Sequence, residues 1–274
     1  SIENKDGYQA ISSISKGNTQ NIGQPELPTY TFNYAVDYNS NYNVTIVEND
    51  YVIYNDINLY PSQPFYSLNQ EKIFIKDDLI YSKNIVYPES KISSKRSTLR
   101  GYDLLNIEVT PYEYNPQTKQ LKVFNNLDII ISESGPRETS FRSPRSQIFE
   151  SMYKNSVINS EDYNDSRNFQ KPSILYICGG SLSTSPYLEP LIEWRHKQGY
   201  VVNVVSTAET GTSTTNIKNY ILNAYNNWEN PPEHICFIGD ANGSIYVSTY
   251  TVYGGSGWST AQGEGDFPYS LLEG

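Results

Sequence analysis

ILYICGG (174–180), PLIEWRHKQGY (190–200), VVNVVS (201–206), NIKNYILNAYNNW (216–228) and HICFIGD (234–240) follow one another as strand, helix, strand, helix, strand. That alternation predicts an α/β domain beginning near Pro172, with a parallel sheet joined by right-handed crossovers. The second helix is the better marked. Ile217, Tyr220, Ile221, Ala224, Tyr225 and Trp228 share one helical face behind a Ser213/Thr214 cap, and Pro231-Pro232 forbids continuation. The first helix starts either at Ser185-Pro186 or at Pro190 and ends at Gly199. The strands' C-terminal ends should lie along one edge, where open α/β sheets hold their sites.

Upstream the text changes character. From Gly23 to about Ser134 it is strand-like: NVTIVENDYVIY alternates, and LLNIEVTPYEY and LKVFNNLDIII are further β-rich runs joined by a hairpin connection at Asn115-Pro116. Prolines at 25, 28, 61, 64 and 111 leave no room for long helices. The expectation is an all-β sandwich or flattened barrel over 23–134, preceded by an N-terminal tail over 1–22. Residues 135–171 are polar and read as a linker, mobile in part, with a short amphipathic helix around Ser146 to Val157. The fold class is thus two-domain α+β, with residues 172–274 forming the α/β part.

Composition narrows the partners. The 274 residues carry a formal charge of −10, so the summed field repels phosphate backbones and anionic headgroups, and no nucleic-acid partner is expected. No run approaches the roughly 18 to 20 apolar residues that span a bilayer. The first 20 residues lack a signal pattern, and a start at Ser1 fits a chain whose signal peptide has already been removed. Twenty-five tyrosines suit half-buried strands.

The chemistry-bearing residues are few. Cys178 and Cys236 sit inside apolar runs and read as small buried hydrophobes, although a disulfide stays open if the two runs are neighbouring strands. His234 and Cys236 share a strand face, but a buried face admits no peptide. Asp240, at a strand's C-terminal end, could bind a cation, orient a base, recognise a basic group or cap its own loop. Glu264 and Asp266 follow a Gly/Ser/Thr/Tyr-rich stretch, 241–263, that reads as a long exposed loop, either lining a site or merely structural. P-loop, HExxH, GxSxG and zinc-ligand spacings are absent, and Gly179-Gly180 is at best a faint phosphate-loop signal.

The run 187–205 (YLEPLIEWRHKQGYVVNVV), then 217–240, then DFPYSLLEG (266–274), resembles the opening of the gingipain family of caspase-like cysteine peptidases. GQPELPTYTF (23–32), YPSQPF (60–65) and residues 99–132 look like the prodomain that precedes those peptidases. The resemblance implies a secreted thiol endopeptidase kept latent by its prodomain, placed outside the cell or on a bacterial surface through type IX secretion machinery. It implies protein or peptide substrates, contact between prodomain and catalytic domain, and no cofactor for the thiol chemistry; a structural calcium stays open. Its catalytic His and Cys should follow Gly274, so none is expected here. Arg137, Arg142 and Arg145 are candidates for the basic side chain that blocks the specificity pocket, and Arg167 for a cleavage site; the alternative is that the first three are ordinary solvated linker charges or processing sites. Two other functions stay open: a sortase-like transpeptidase on the same fold, and a non-catalytic binding module.

Overall fold

The computed structural model describes residues 1–14, 17–66, 71–138, 143–161, 166–253 and 262–272. Its N-terminal part is built of β1 (Ile2–Lys5), β2 (Tyr8–Ile11), β3 (Gly17–Asn18), β4 (Pro28–Ala35), β5 (Ser40–Tyr54), the single-turn helix α1 (Asp78–Tyr81), β6 (Ile92–Leu99), β7 (Tyr102–Val109), β8 (Tyr112–Asn115), β9 (Gln120–Pro136) and helix α2 (Gln147–Ser156). Two larger antiparallel sheets result, ordered β3-β4-β7-β6 and β5-β9-β8.

Alternation along the strands decides how these sheets meet. Phe32 and Tyr34 of β4, Leu105, Ile107 and Val109 of β7, and Ile92 of β6 share an apolar cluster with Val44 and Ile46 of β5 and Leu127, Ile129 and Ile131 of β9. Each strand therefore turns every second residue toward the other sheet. The described strands do not close into a barrel, because the two sheets remain separate in their hydrogen bonding. A second cluster, around Leu27, Leu59, Tyr112, Tyr114 and Leu121, fills one end. There the Tyr114 hydroxyl donates to the Ile57 carbonyl at 2.9 Å, which satisfies a buried polar atom within an apolar site.

One expectation for the ends of this part needs correction. Residues 1–22 are not a tail. Asp6 and Gly7 take positive φ (51° and 82°) and close a two-residue hairpin between β1 and β2, as an Asp-Gly turn favours. Gln9 then bonds to the 58–60 segment (Gln9 N to Asn58 O 2.8 Å, Tyr60 N to Gln9 O 2.9 Å), and β3 pairs with β4. Within 135–171, expected as a linker with a short helix around Ser146 to Val157, α2 follows its N-cap Ser146, whose hydroxyl accepts from Phe149 N, and sends Tyr153 into a cluster with Ala35, Tyr102, Leu104 and Val157. Tyr102 and Tyr153 stack with centroids 4.3 Å apart, and the Asn159 side chain clasps both backbone groups of Ala35. The short helix forms where its apolar spacing predicts; its polar flanks are pinned to β4 and β7.

The second part contains β10 (Ser173–Cys178), α3 (Glu189–Lys197), β11 (Val201–Ser206), α4 (Thr207–Thr210), α5 (Thr214–Asn227), β12 (His234–Ile238), β13 (Tyr250–Tyr253) and β14 (Gln262–Gly265). The first three of these strands form a parallel sheet ordered β11-β10-β12. β10 is buried along its whole length because both faces are covered, as a central parallel strand requires. Leu175 and Ile177 pack against Ile217 and Ile221 of α5, while Ile174, Tyr176 and Cys178 face Leu188 and Ile192 on the α3 side. α5 starts at Ser213, whose hydroxyl accepts from Asn216 N at 3.1 Å. α3 starts at Glu189 with Pro190 in its first turn, and Gly199 at φ +88° lets the chain turn into β11. The stretch read as a loop over 241–263 is only partly one, since β13 and β14 pair across it.

Candidate functional site

The C-terminal edge of the parallel sheet is where a site of this topology belongs, and the chain closes part of that edge with its own backbone. Gly179 and Gly239 follow β10 and β12. A Cβ on either would run into the Ile245 carbonyl, and one on Gly179 would also stand 2.7 Å from the Tyr246 carbonyl. Gly180, at φ +57°, meets Ser244 O in the same way. These glycines allow segment 244–246 to cross the strand ends closely, so Gly179-Gly180 is a packing feature and not a phosphate cradle.

Asp240 sits beside that crossing and serves it. Its backbone N donates to Ile245 O (3.1 Å), its carbonyl accepts from Val247 N (2.8 Å), and its Oδ1 accepts from Ala241 N (2.7 Å). This is the loop-capping arrangement. The carboxylate remains exposed at the strand edge, so one oxygen can still meet a basic group. At the neighbouring end of β11, Ser206 and Glu209 form a capping box; Ser206's backbone and hydroxyl hydrogen bonds hold the Glu209 carboxyl below its ordinary value.

Glu264 lies exposed on β14 opposite Thr251, and Asp266 is exposed just ahead of a 3₁₀ turn over Phe267–Ser270. Asp266 lines a cavity of about 650 Å³ with Tyr269, Leu272, Ile235, Phe237 and Arg100; neither Asp240 nor Glu264 lines it. The three acids are thus not brought into one cluster by that cavity. Among the described residues no group of three or more His, Cys, Asp or Glu is placed to hold a metal ion.

Neither thiol is presented as an activated nucleophile. Cys178 and Cys236 lie on adjacent strands facing the same side, and both are free. Burial, with the neighbouring Cys236 adding to it, pushes Cys178 up to about 11; burial also raises Cys236, against a smaller opposing pull from Arg195. Both stay protonated at neutral pH, which disarms them for attack on a carbonyl. His234 is exposed at the start of β12, at the opposite end of the sheet from the expected site.

The arginines are spent within the fold. Arg137 donates to Asp103 Oδ2 at 2.7 Å and lies over Tyr38. Arg145 pairs with Glu150 at 2.7 Å and stacks over Phe169 at 4.1 Å. Arg167 donates to the carbonyls of Arg100 and Ser143 and covers the Tyr102 ring. Arg142 lies outside the described residues.

Two residues that composition and spacing did not single out carry more structure than any of these. Asp103, 1% exposed, accepts from Arg96, Arg137 and Thr98 at 2.7–2.8 Å. Arg100, 6% exposed, reaches from the β6–β7 turn to the carbonyls of Pro231 and Pro232. Arg-Gly between two strand-like runs was the available signal for the turn, though not for its reach.

A β-rich unit docked through such contacts onto the start of a parallel α/β sheet is what two family models also divide the chain into. The Propeptide_C25 model matches residues 1–184 and the Peptidase family C25 model matches residues 167–274. The chain belongs to the gingipain-type peptidase family C25. It carries the family's propeptide and the N-terminal part of its peptidase domain. Lys-gingipain of Porphyromonas gingivalis is 26% identical over 260 residues, 88% of this chain and 15% of that protein. Gingipain R1 of the same organism is 20% identical over 249 residues, 87% of this chain and 25% of that protein. The C25 chain therefore spans only a minor part of the relatives it matches. The solved complex of P. gingivalis RgpB pro- and mature domains aligns over 57% of this chain and 81% of that one, with a TM-score of 0.51 and 20% identity, a likeness of fold. Among the described residues no helix is long and apolar enough to cross a membrane.

Proposed function

We propose that this C25 chain is the front of a latent, secreted gingipain-like cysteine endopeptidase, in which the N-terminal β unit restrains the peptidase until it is released. The observation that carries the reading is the order of the two matched regions in one polypeptide, propeptide then peptidase, with the first packed against the second. The catalytic His and Cys of this reading belong to the parent protein, since the relatives run far beyond the matched part. The two facing sheets are read as a sandwich, and β10–β12 with their helices as the opening of a caspase-like sheet. Substrate would bind at the C-terminal edge beside Asp240, whose exposed carboxylate suits a basic peptide side chain. Protein or peptide substrates, export by a secretion machinery and a place outside the cell or on its surface belong to the same proposal.

The test is to produce the parent precursor, assay hydrolysis of short Lys and Arg peptide esters, and repeat after limited proteolysis within 137–171. Activity should appear only once the β unit is released, and a thiol alkylator should abolish it. Full activity in the uncut precursor, or activity indifferent to the alkylator, would reject the reading.

A further inference from the structure

β6 and β7 are joined by a two-residue turn, Arg100-Gly101, with both residues at positive φ (50° and 72°). This primed turn suits a tight hairpin and carries the Arg100 side chain past the end of the β unit. Its guanidinium enters the α/β unit: Nη1 donates to Pro232 O at 2.9 Å, and Nη2 to Pro231 O at 3.1 Å and to Gln170 Oε1 at 2.7 Å. The rings of Tyr225 and Phe149 lie 5.1 and 5.7 Å from it. Gln170 itself donates to Pro231 O, and the Ser173 hydroxyl donates to the same carbonyl at 2.6 Å, so the accepting loop is also held from within its own unit. On the donor side, Arg167 bonds the backbone carbonyl of Arg100 and holds the turn from behind. Nearby, Ser143 and Tyr225 join their hydroxyls at 2.8 Å.

A desolvated arginine forked onto carbonyls, flanked by aromatic rings and with the backbone held on both sides, is the pattern of an interface hot spot. Its position matters as much as its contacts. Pro231 and Pro232 precede β12, so Arg100 grips the N-terminal edge of the parallel sheet. The C-terminal edge lies a full strand away, about 15 Å at the usual rise for five residues.

We propose that Arg100 is the anchoring residue through which the β unit recognises and stays bound to the α/β unit, at a surface separate from the edge where substrate would bind. This rests on the propeptide-and-peptidase reading above, and it makes docking and latency two functions of different surfaces. The partner surface is the Pro231-Pro232 loop with Tyr225 and Gln170.

The experiment uses the full chain with a site-specific protease sequence in place of residues 162–165. Cutting there leaves Arg167, Gln170 and Tyr225 on the α/β piece, so that Arg100 holds across the nick alongside Arg145 over Phe169, Arg167 to Ser143 and Ser143 to Tyr225, and its own share is read from its variants. Dissociation is followed by sedimentation over a dilution series, with circular dichroism to show that both pieces stay folded. The unsubstituted pieces should remain together at micromolar concentration. Arg100→Asn, which tolerates positive φ and removes the guanidinium, should raise the Kd by about thirty-fold or more. Arg100→Lys, a single point charge unable to fork, should raise it about five-fold or more, and it decides the matter if the asparagine variant does not fold. Unsubstituted pieces that separate at once, or variants within three-fold of the unsubstituted Kd, overturn the anchor. Because association is read without any activity, a β unit that stays bound yet fails to suppress the peptidase would reject the latency reading and leave the anchor standing.

Discussion

Replacing Asp103 by Asn should unfold the β unit more readily than any surface change, and the contacts say by how much. The Asp103 carboxylate is fully buried and accepts from Arg96 at 2.8 Å, Thr98 at 2.8 Å and Arg137 at 2.7 Å. Arg96 goes on to the carbonyls of Ser40 and Asp37, so one carboxylate ties β6 and β7 to the start of β5 and the end of β9. Removing one member of a buried charged cluster costs about 3–5 kcal/mol, because the remaining charges lose their counterion in a poorly solvated place. Arg96 and Arg137 keep 21% and 32% of their side-chain exposure, which lets water recover part of that loss. We therefore expect about 3 kcal/mol. At roughly 2–4 °C per kcal/mol for a chain of this size class, the midpoint should fall by about 6–12 °C. Urea and thermal unfolding of D103N against the unsubstituted chain measure it, with Glu193→Gln as control. Glu193 pairs with Lys197 on the exposed face of α3, where the loss should stay under about 0.5 kcal/mol. If D103N costs no more than E193Q, the argument that this cluster organises the β unit is wrong. Arg137→Met should likewise destabilise the β unit, which distinguishes a structural arginine from one that merely blocks a pocket.

Gly179→Ala should disrupt the crossing of 244–246 over the strand ends, costing about 1–3 kcal/mol as an overpacked site does, with faster hydrogen exchange at Gly179, Asp240 and Val247; unchanged exchange would contradict the close approach. Burial alone would raise the Glu150 carboxyl, but hydrogen bonds from Tyr102 and Arg145 outweigh it and hold it below its ordinary 4.5. With the folded value depressed, this group's stabilisation is present above about pH 4.5 and is lost as pH falls through the folded value. Urea unfolding between pH 6 and 3 should show that loss, and Glu150→Gln should flatten it; an identical slope in the variant would refute the assignment. Neither thiol should react with iodoacetamide in the folded chain, and on partial unfolding Cys236 should react ahead of the deeper Cys178, read by peptide mass; rapid native labelling of Cys178 would show that its burial is misjudged.

Much of the α/β unit was legible because its periodicities are strong and local. The face Ile217, Ile221, Ala224 and Tyr225 is buried on α5 as its spacing requires, and three apolar runs separated by two helices leave few options besides a parallel sheet. The first 22 residues were misread because their strands are four residues or fewer and nearly without apolar alternation; only Asp6-Gly7 announced the hairpin. In 135–171 the apolar spacing announces α2, but the polar residues are used on β4 and β7 through single side chains such as Asn159 and Arg145, and no period records a contact made once.

The site shows the same division. Asp240 at the end of β12 could be located from sequence, because position at a strand's C-terminal end follows from chain order alone. The crossing of 244–246 over Gly179 and the raised value of the Cys178 thiol depend on neighbours distant in the chain.

From sequence alone, then, came the class of each unit, their order, the strongest helix and the family to which the chain belongs, because these rest on local pattern and on runs of matching residues. Tertiary structure alone decided what the charged residues do. Arg137, Arg145 and Arg167, read as candidates for pocket blocking or cleavage with linker charge as the alternative, have partners inside the fold, while Arg100, one arginine in a turn, bridges the units. An ionic or forked hydrogen bond is set by the meeting of groups up to 132 positions apart, and the fold, not the local text, brings those positions together.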